Sequence, residues 1–331
     1  MRPRWRELRT AKGPGRTTAF SRALTPVIAS TLLLAGAACD REASPAAEAG
    51  GQPSIAEAVT TSAVPRSAVP TTAVPTTAVP TTAVPTTAAV APTTRVLGVE
   101  QLTVEVVSRV PHDPGSYTQG LVLDDGTLYE SAGNYGQSEV RKVDPVSGAV
   151  LARSDNDPSE FGEGLALVDG RLIQLTWQAG TAHILDAATL ARVGTYSYEG
   201  EGWGLCHDGQ RLVMSNGRPD LTFRDPDTFA AVGSVTVTLE GQPVEGLNEL
   251  ECVDGSVYAN VYLTDTIVRI DPASGRVSAV VDASALRASL DGLAGDEVLN
   301  GIAHVEGGDR FLLTGKHWPT MFEVRFVPQR G

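Results

Sequence analysis

The chain has 331 residues, 42% of them hydrophobic and 20% charged, and a formal net charge of −13. Its 34 glycines follow no three-residue period, which excludes a collagen-like fibre, and so acidic a surface repels nucleic-acid phosphate. Three cysteines, with no CxxC or Cys/His spacing, are too few for a disulfide scaffold or a zinc site.

The N-terminal segment is unlike the rest. Residues 1–22 hold seven basic side chains and one acid, Glu7, and Ala23 to Ala38 then runs without a charge. Sixteen residues interrupted by Pro26 are short for a membrane-spanning helix and read as the apolar part of an export signal. The run ends Leu34-Ala35-Gly36-Ala37-Ala38-Cys39, which resembles a bacterial lipoprotein signal, with Gly36 where Leu is usual. The expectation is a signal peptide over 1–38 and a lipid on Cys39, the first mature residue. That places the protein on the outer face of the bacterial cytoplasmic membrane, touching it only through the lipid. Simple secretion and a retained anchor are the alternatives.

Residues 39–96 form a linker. From Ala63 the pentad Ala-Val-Pro-x-x recurs five times, with Pro65, Pro70, Pro75, Pro80 and Pro85. Proline at every fifth position forbids a helix and removes sheet donors, so an extended, unpacked stalk is expected. Its threonine pairs leave open a second role as glycosylation sites.

Residues 97–331 are expected to fold as one domain. Alternating runs such as Arg171 to Trp177 and Ser256 to Tyr262 predict strands, and Ala283 to Leu290 is the one plausible helix. Two repeats set the architecture. Strand, Asp-led turn and strand recur at Asp144, Asp186, Asp225 and Asp271, a spacing near 42 residues. Before each comes a short motif, with a further copy near the C-terminus: Gln119-Gly-Leu, Glu163-Gly-Leu, Trp203-Gly-Leu, Asn248-Glu-Leu and Asn300-Gly-Ile. Five units of four strands predict an all-β, five-bladed β-propeller. The last blade is expected to close by pairing Met321 to Val327 with Leu102 to Ser108, hiding two sheet edges.

Innermost propeller strands begin around a central channel, so the first residues of the five motifs converge. One acid, three amides and an indole at that ring suggest ligand work, because buried polar groups cost free energy unless paired. Hydrogen bonding between blades is the competing explanation.

The ordered set Tyr117-Thr-Gln-Gly-Leu121, Phe161-Gly-Glu-Gly-Leu165, Gln174-Leu-Thr-Trp177, Gly202-Trp-Gly-Leu205, Leu247-Asn-Glu-Leu-Glu251, Leu299-Asn-Gly-Ile-Ala303 and Leu313-Thr-Gly-Lys-His-Trp318 resembles the plant and bacterial glutaminyl-peptide cyclotransferases. These are five-bladed propellers unrelated to the zinc-dependent animal enzymes. The resemblance implies a metal-independent acyltransferase, without cofactor, that converts an N-terminal Gln of peptides or proteins to pyroglutamate and releases ammonia. It implies Glu163 as the catalytic proton shuttle, with Asn248 and Lys316 assisting. Gln119, Tyr117, Phe161, Trp177, Trp203, Tyr262 and Asn300 would bind substrate. Tyr117 stands where the family usually has Phe, and Tyr262 where Trp is common. A Lys316–Glu163 ion pair, which would keep Glu163 ionised, is the other reading of those two residues. Trp318 is read as structural. The five histidines show no metal-ligand spacing, so no metal is expected, and nothing requires more than a monomer. Cys206 and Cys252 lie at comparable places in neighbouring units, and geometry decides whether they pair. The alternative from another class is a non-catalytic surface propeller that binds a peptide or glycan; a hydrolytic propeller lacks a second ring acid.

Overall fold

The computed structural model describes residues 98–330. The expected signal peptide, the lipidation at Cys39 and the stalk lie outside the described residues.

The regular structure of the described residues is all strand but for one short helix. Three separate antiparallel sheets of four strands come first. They are β2 (Thr118–Asp124), β3 (Thr127–Ala132), β4 (Glu139–Val143) and β5 (Val150–Asp155); β6 (Gly162–Val168), β7 (Arg171–Thr176), β8 (Thr181–Asp186) and β9 (Arg192–Ser197); and β10 (Leu205–His207), β11 (Leu212–Met214), β12 (Asp220–Arg224) and β13 (Ala231–Thr236). A two-strand ribbon, β14 (Thr238–Leu239) with β15 (Gln242–Pro243), follows. The fourth unit is β16 (Leu247–Val253), β17 (Ser256–Val261), β18 (Thr266–Asp271) and β19 (Arg276–Asp282). The helix α1 (Ser284–Ala288) falls inside the expected segment, before β20 (Leu299–Val305), β21 (Arg310–Gly315) and β22 (Thr320–Pro328).

The expected closure is present. The strand β1 (Glu100–Pro111) pairs antiparallel with β22 from Leu102↔Pro328 to Pro111↔Thr320. It also pairs parallel with β19, Glu100 to Thr103 against Ala279 to Asp282, which was not foreseen. This second ladder merges the fourth and fifth units into one continuous sheet.

Each Asp-led turn has the same cause. Asp144 Oδ1 accepts the N–H of Val146 and Ser147 and the Ser147 hydroxyl at 2.7–3.1 Å. Asp186, Asp225 and Asp271 likewise accept from the backbone and from Thr189, Thr228 and Ser274, so a local side-chain turn joins the outer two strands of four units.

The first strands touch in a cycle, β2 to β6 to β10 to β16 to β20 and back to β2. Glycine in the shared motif permits the approach: a Cβ on Gly164 would stand 2.5 Å from Leu205 N. Apolar clusters fill the gaps between successive sheets. Leu165, Leu172 and Tyr129 pack together between the first and second, and Leu205, Leu212 and Ile173 between the second and third. Each fully buried aliphatic side chain contributes about 1.5–3 kcal/mol, so packing of sheet faces holds the ring together. A disulfide between Cys206 and Cys252, with Cα atoms 5.5 Å apart, links β10 to β16.

Polar ties supplement the packing. Glu130, fully buried on β3, accepts from Ser116 Oγ (2.6 Å), Thr118 Oγ1 (2.7 Å), Arg141 Nε (2.9 Å) and His112 Nε2 (3.0 Å). His112 Nδ1 donates in turn to the Trp318 carbonyl at 2.6 Å. Burial alone would raise the Glu130 carboxyl, but the His112 and Arg141 charges hold it well below the usual range.

Candidate active site

In an antiparallel pair the start of one strand lies beside the end of the next. The beginnings of the first strands and the ends of the second strands therefore share one end of the ring. A repeated backbone hydrogen bond aligns the units there: Trp177 N–H to Phe161 O (2.9 Å), Tyr262 N–H to Gly246 O (2.8 Å) and Lys316 N–H to Val298 O (2.9 Å). Gly133 N–H to Tyr117 O (2.8 Å) is the same rung of the first sheet. Two tiers of side chains result, one from each set of strand ends.

These tiers enclose an open pocket of about 260 Å³ lined by Tyr117, Gln119, Phe161, Glu163, Trp177, Trp203, Asn248, Tyr262 and Lys316. Nine of the residues singled out in the sequence thus meet at one cavity. Asn300 does not line it. Wholly buried behind Gln119, it donates from Nδ2 to Gln119 Oε1 (3.1 Å) and to the Thr118 carbonyl (2.9 Å). Direct substrate contact by Asn300 is therefore corrected to support of Gln119.

Lys316 is also differently engaged. Its ammonium donates to Gln119 Oε1 at 2.8 Å and sits over the rings of Tyr117 (4.4 Å) and Tyr262 (5.2 Å). It forms no ion pair with Glu163 within 4.0 Å. Because Gln119 Oε1 accepts from both Lys316 and Asn300, its amide orientation is set and its N–H₂ remains the free donor.

Glu163 is 5% exposed, and none of the described residues donates to its carboxyl oxygens. Its backbone is fixed instead, the carbonyl accepting from Ser131 Oγ at 2.5 Å. Burial pushes the Glu163 carboxyl well above the usual range; the Lys316 charge opposes this and the Glu201 charge adds to it. Burial likewise lowers Lys316 to about 8, against the pull of Glu163. Without an ion pair to Lys316, burial makes Glu163 hold its proton more tightly than a solvated carboxyl does. Asn248 is 2% exposed and its side chain makes no hydrogen bond among the described residues. An acid and an amide left without partners at a pocket are free to bind and exchange protons with a ligand.

The walls are aromatic. Tyr117 meets Phe161 edge-on at 5.9 Å between ring centres, Phe161 meets Trp177 at 5.9 Å, and Trp203 meets Tyr262 at 5.4 Å. Trp318 is wholly buried, its indole N–H given to the Glu297 carbonyl, a structural place as expected.

Several further contributors stand apart from the ring positions of the repeats. Glu201 accepts both pocket indole N–H groups. Tyr135 and His317 flank Phe161 and Tyr117 at the rim. Glu249 occupies the position that is Gly in the other four motifs, and its carboxyl accepts Leu121 N–H (3.2 Å) and Ile302 N–H (2.8 Å) from two other first strands. Only the register of the inner motif, in which Glu249 replaces glycine, hinted at this.

The family described as glutamine cyclotransferase matches residues 77–326. A glutaminyl-peptide cyclotransferase of Arabidopsis thaliana is 39% identical over 226 residues, 67% of this chain and 71% of that protein. The crystal structure of Myxococcus xanthus glutaminyl cyclase is 40% identical with a TM-score of 0.67, covering 70% of this chain and all of the other.

Proposed function

The chain belongs to the glutamine cyclotransferase family and is a glutaminyl-peptide cyclotransferase, and from that premise we propose how its pocket carries out the reaction. An N-terminal Gln folds back between the aromatic walls so that its α-amine nitrogen approaches its own side-chain amide carbon. Holding the substrate in that bend is much of the task, because nucleophile and electrophile are already joined. The amine attacks and gives a proton to Glu163. The tetrahedral intermediate collapses as Glu163 returns that proton to the departing nitrogen, so pyroglutamate and ammonia form and Glu163 is regenerated.

The observation that carries this assignment is an unpartnered, buried carboxyl at the pocket whose proton affinity is raised. Raising a carboxyl's proton affinity brings it closer to that of an amine, so proton exchange between the two costs less. The N–H₂ of Gln119 and the amide of Asn248 are the donors for the developing oxyanion, and Lys316 adds charge through Gln119. Tyr117, Phe161, Trp177, Trp203 and Tyr262 exclude water that would hydrolyse the amide instead of cyclising it.

The five units are read as blades of a five-bladed propeller, supported by their cyclic contacts. The domain works as a monomer on exported peptides and proteins. Residues 1–38 direct export, Cys39 carries a lipid, and 39–96 form the stalk.

Ammonia release and the matching mass loss from a Gln-leading peptide test the mechanism in wild type and in Glu163→Gln. Full activity in that variant would refute Glu163 as the shuttle. Mass analysis of the mature N-terminus tests the anchor, with an acylated Cys39 expected; an unmodified Cys39 would leave a secreted enzyme.

A further inference from the structure

The walls of the pocket form a closed circuit with two polar links. Tyr117, Phe161 and Trp177 make one arc and Trp203 with Tyr262 the other. Lys316 bridges the arcs on one side through the rings of Tyr117 and Tyr262. On the other side the bridge is Glu201, which lies in the connection between β9 and β10, outside the repeated motifs.

We propose that Glu201 is a positioning residue of the cyclisation: one carboxylate oxygen, shared by the N–H groups of Trp177 and Trp203, sets the separation of the two indole walls between which the glutamine side chain bends. The Trp177 Nε1 to Glu201 Oε2 distance is 2.9 Å and the Trp203 Nε1 distance to the same oxygen is 3.0 Å. An indole N–H donates and cannot accept, so two of them converge only on a shared acceptor. Among the described residues Glu201 is the partner of each. The second oxygen is held by Gln178 Nε2 at 3.0 Å, which fixes the plane of the carboxylate. The backbone repeats the link, with Gly202 N–H donating to the Trp177 carbonyl at 3.0 Å. Trp203 is backed by Gly217, where a Cβ would fall 2.7 Å from the ring, so packing fixes the ring and Glu201 pins its N–H edge.

Charge gives the residue a second signature. Hydrogen bonds from Gln178 and Trp203 hold the Glu201 carboxyl below its usual range, so it is ionised at neutral pH. Burial raises Glu163 most; the Lys316 charge opposes this and the Glu201 charge adds to it. Removing the Glu201 charge therefore lets Glu163 lose its proton at lower pH.

The inference rests on the pocket being the substrate site, and the experiment separates the two. Steady-state kinetics, tryptophan emission and thermal midpoints are measured for wild type, Glu201→Ala, Glu201→Gln and Trp203→Ala. Small misplacements of a reacting group cost up to about 100-fold, so Glu201→Ala should lose about 10- to 100-fold in kcat/KM, chiefly in kcat, with a shifted indole emission. Glu201→Gln retains a carbonyl oxygen for both indoles and should recover most of that loss. Its acid limb of kcat/KM should move to lower pH. Glu201→Ala within about 2-fold of wild type would overturn the proposal, as would equal damage in both Glu201 variants or loss without a change in emission. Unimpaired Trp203→Ala would instead refute the pocket itself.

Discussion

Two buried glutamates, Glu130 and Glu163, stand on neighbouring sheets, yet their surroundings are opposite. Glu130 receives four side-chain donors, two of them on cationic partners, and is held below the carboxylate range. Glu163 receives none from the described residues and is pushed above it. A charge buried with partners ties strands together; a charge buried without them costs stability and is kept where a ligand supplies the partner. The contrast separates scaffold from chemistry without reference to location.

Replacing each residue by its amide tests that contrast. Glu163→Gln should lower kcat by about 10²- to 10⁴-fold, the usual worth of a positioned proton shuttle, while raising the thermal midpoint. A fall in the midpoint would make Glu163 a scaffold residue after all. Glu130→Gln should do the reverse, costing about 3–5 kcal/mol in denaturant unfolding because His112 loses its buried counter-charge and Arg141 keeps only Asp113 and Glu139, with KM little changed. A smaller effect, about 2–4 kcal/mol, is expected for Cys206→Ser, which opens the covalent link between β10 and β16. Unfolding under reducing conditions should erase the difference from wild type.

The pH dependence is subtler and has opposite signs. Glu130 titrates lower when folded, so its stabilisation is complete above about pH 4.3 and is lost as pH falls through the folded value. Glu163 titrates higher when folded, so its contribution is complete below about pH 4.3 and is lost as pH rises through the raised value. The midpoint advantage of Glu163→Gln should therefore grow from acid to neutral pH. A constant difference would show that the Glu163 proton is not held more tightly in the folded protein.

Much of this was legible in the sequence where repetition exposes it. The five inner motifs and four Asp-led turns located the strands, and the ring positions delivered Gln119, Glu163, Trp203 and Asn248 to one pocket. Repetition also misled. It made Asn300 equivalent to residues that face the cavity, whereas its amide turns to Gln119 and Thr118. Glu201 was hard to see because it stands two positions before Trp203, where Tyr117 and Phe161 stand before Gln119 and Glu163, and no repeated residue type marks that position. Glu130 looked like an ordinary strand residue, since its partners come from His112, Ser116 and Arg141, which only folding brings together. The parallel ladder between β1 and β19 had no local pattern to announce it, because register across distant strands is decided by packing.

That ladder has a mechanical consequence. Strand β1 is gripped on one flank by β22 and on the other by β19. A load along this strand is shared by two ladders and must shear several hydrogen bonds together; a strand held on one side alone would peel bond by bond. The first strand of the described residues is thus a reinforced joint between the fourth and fifth units.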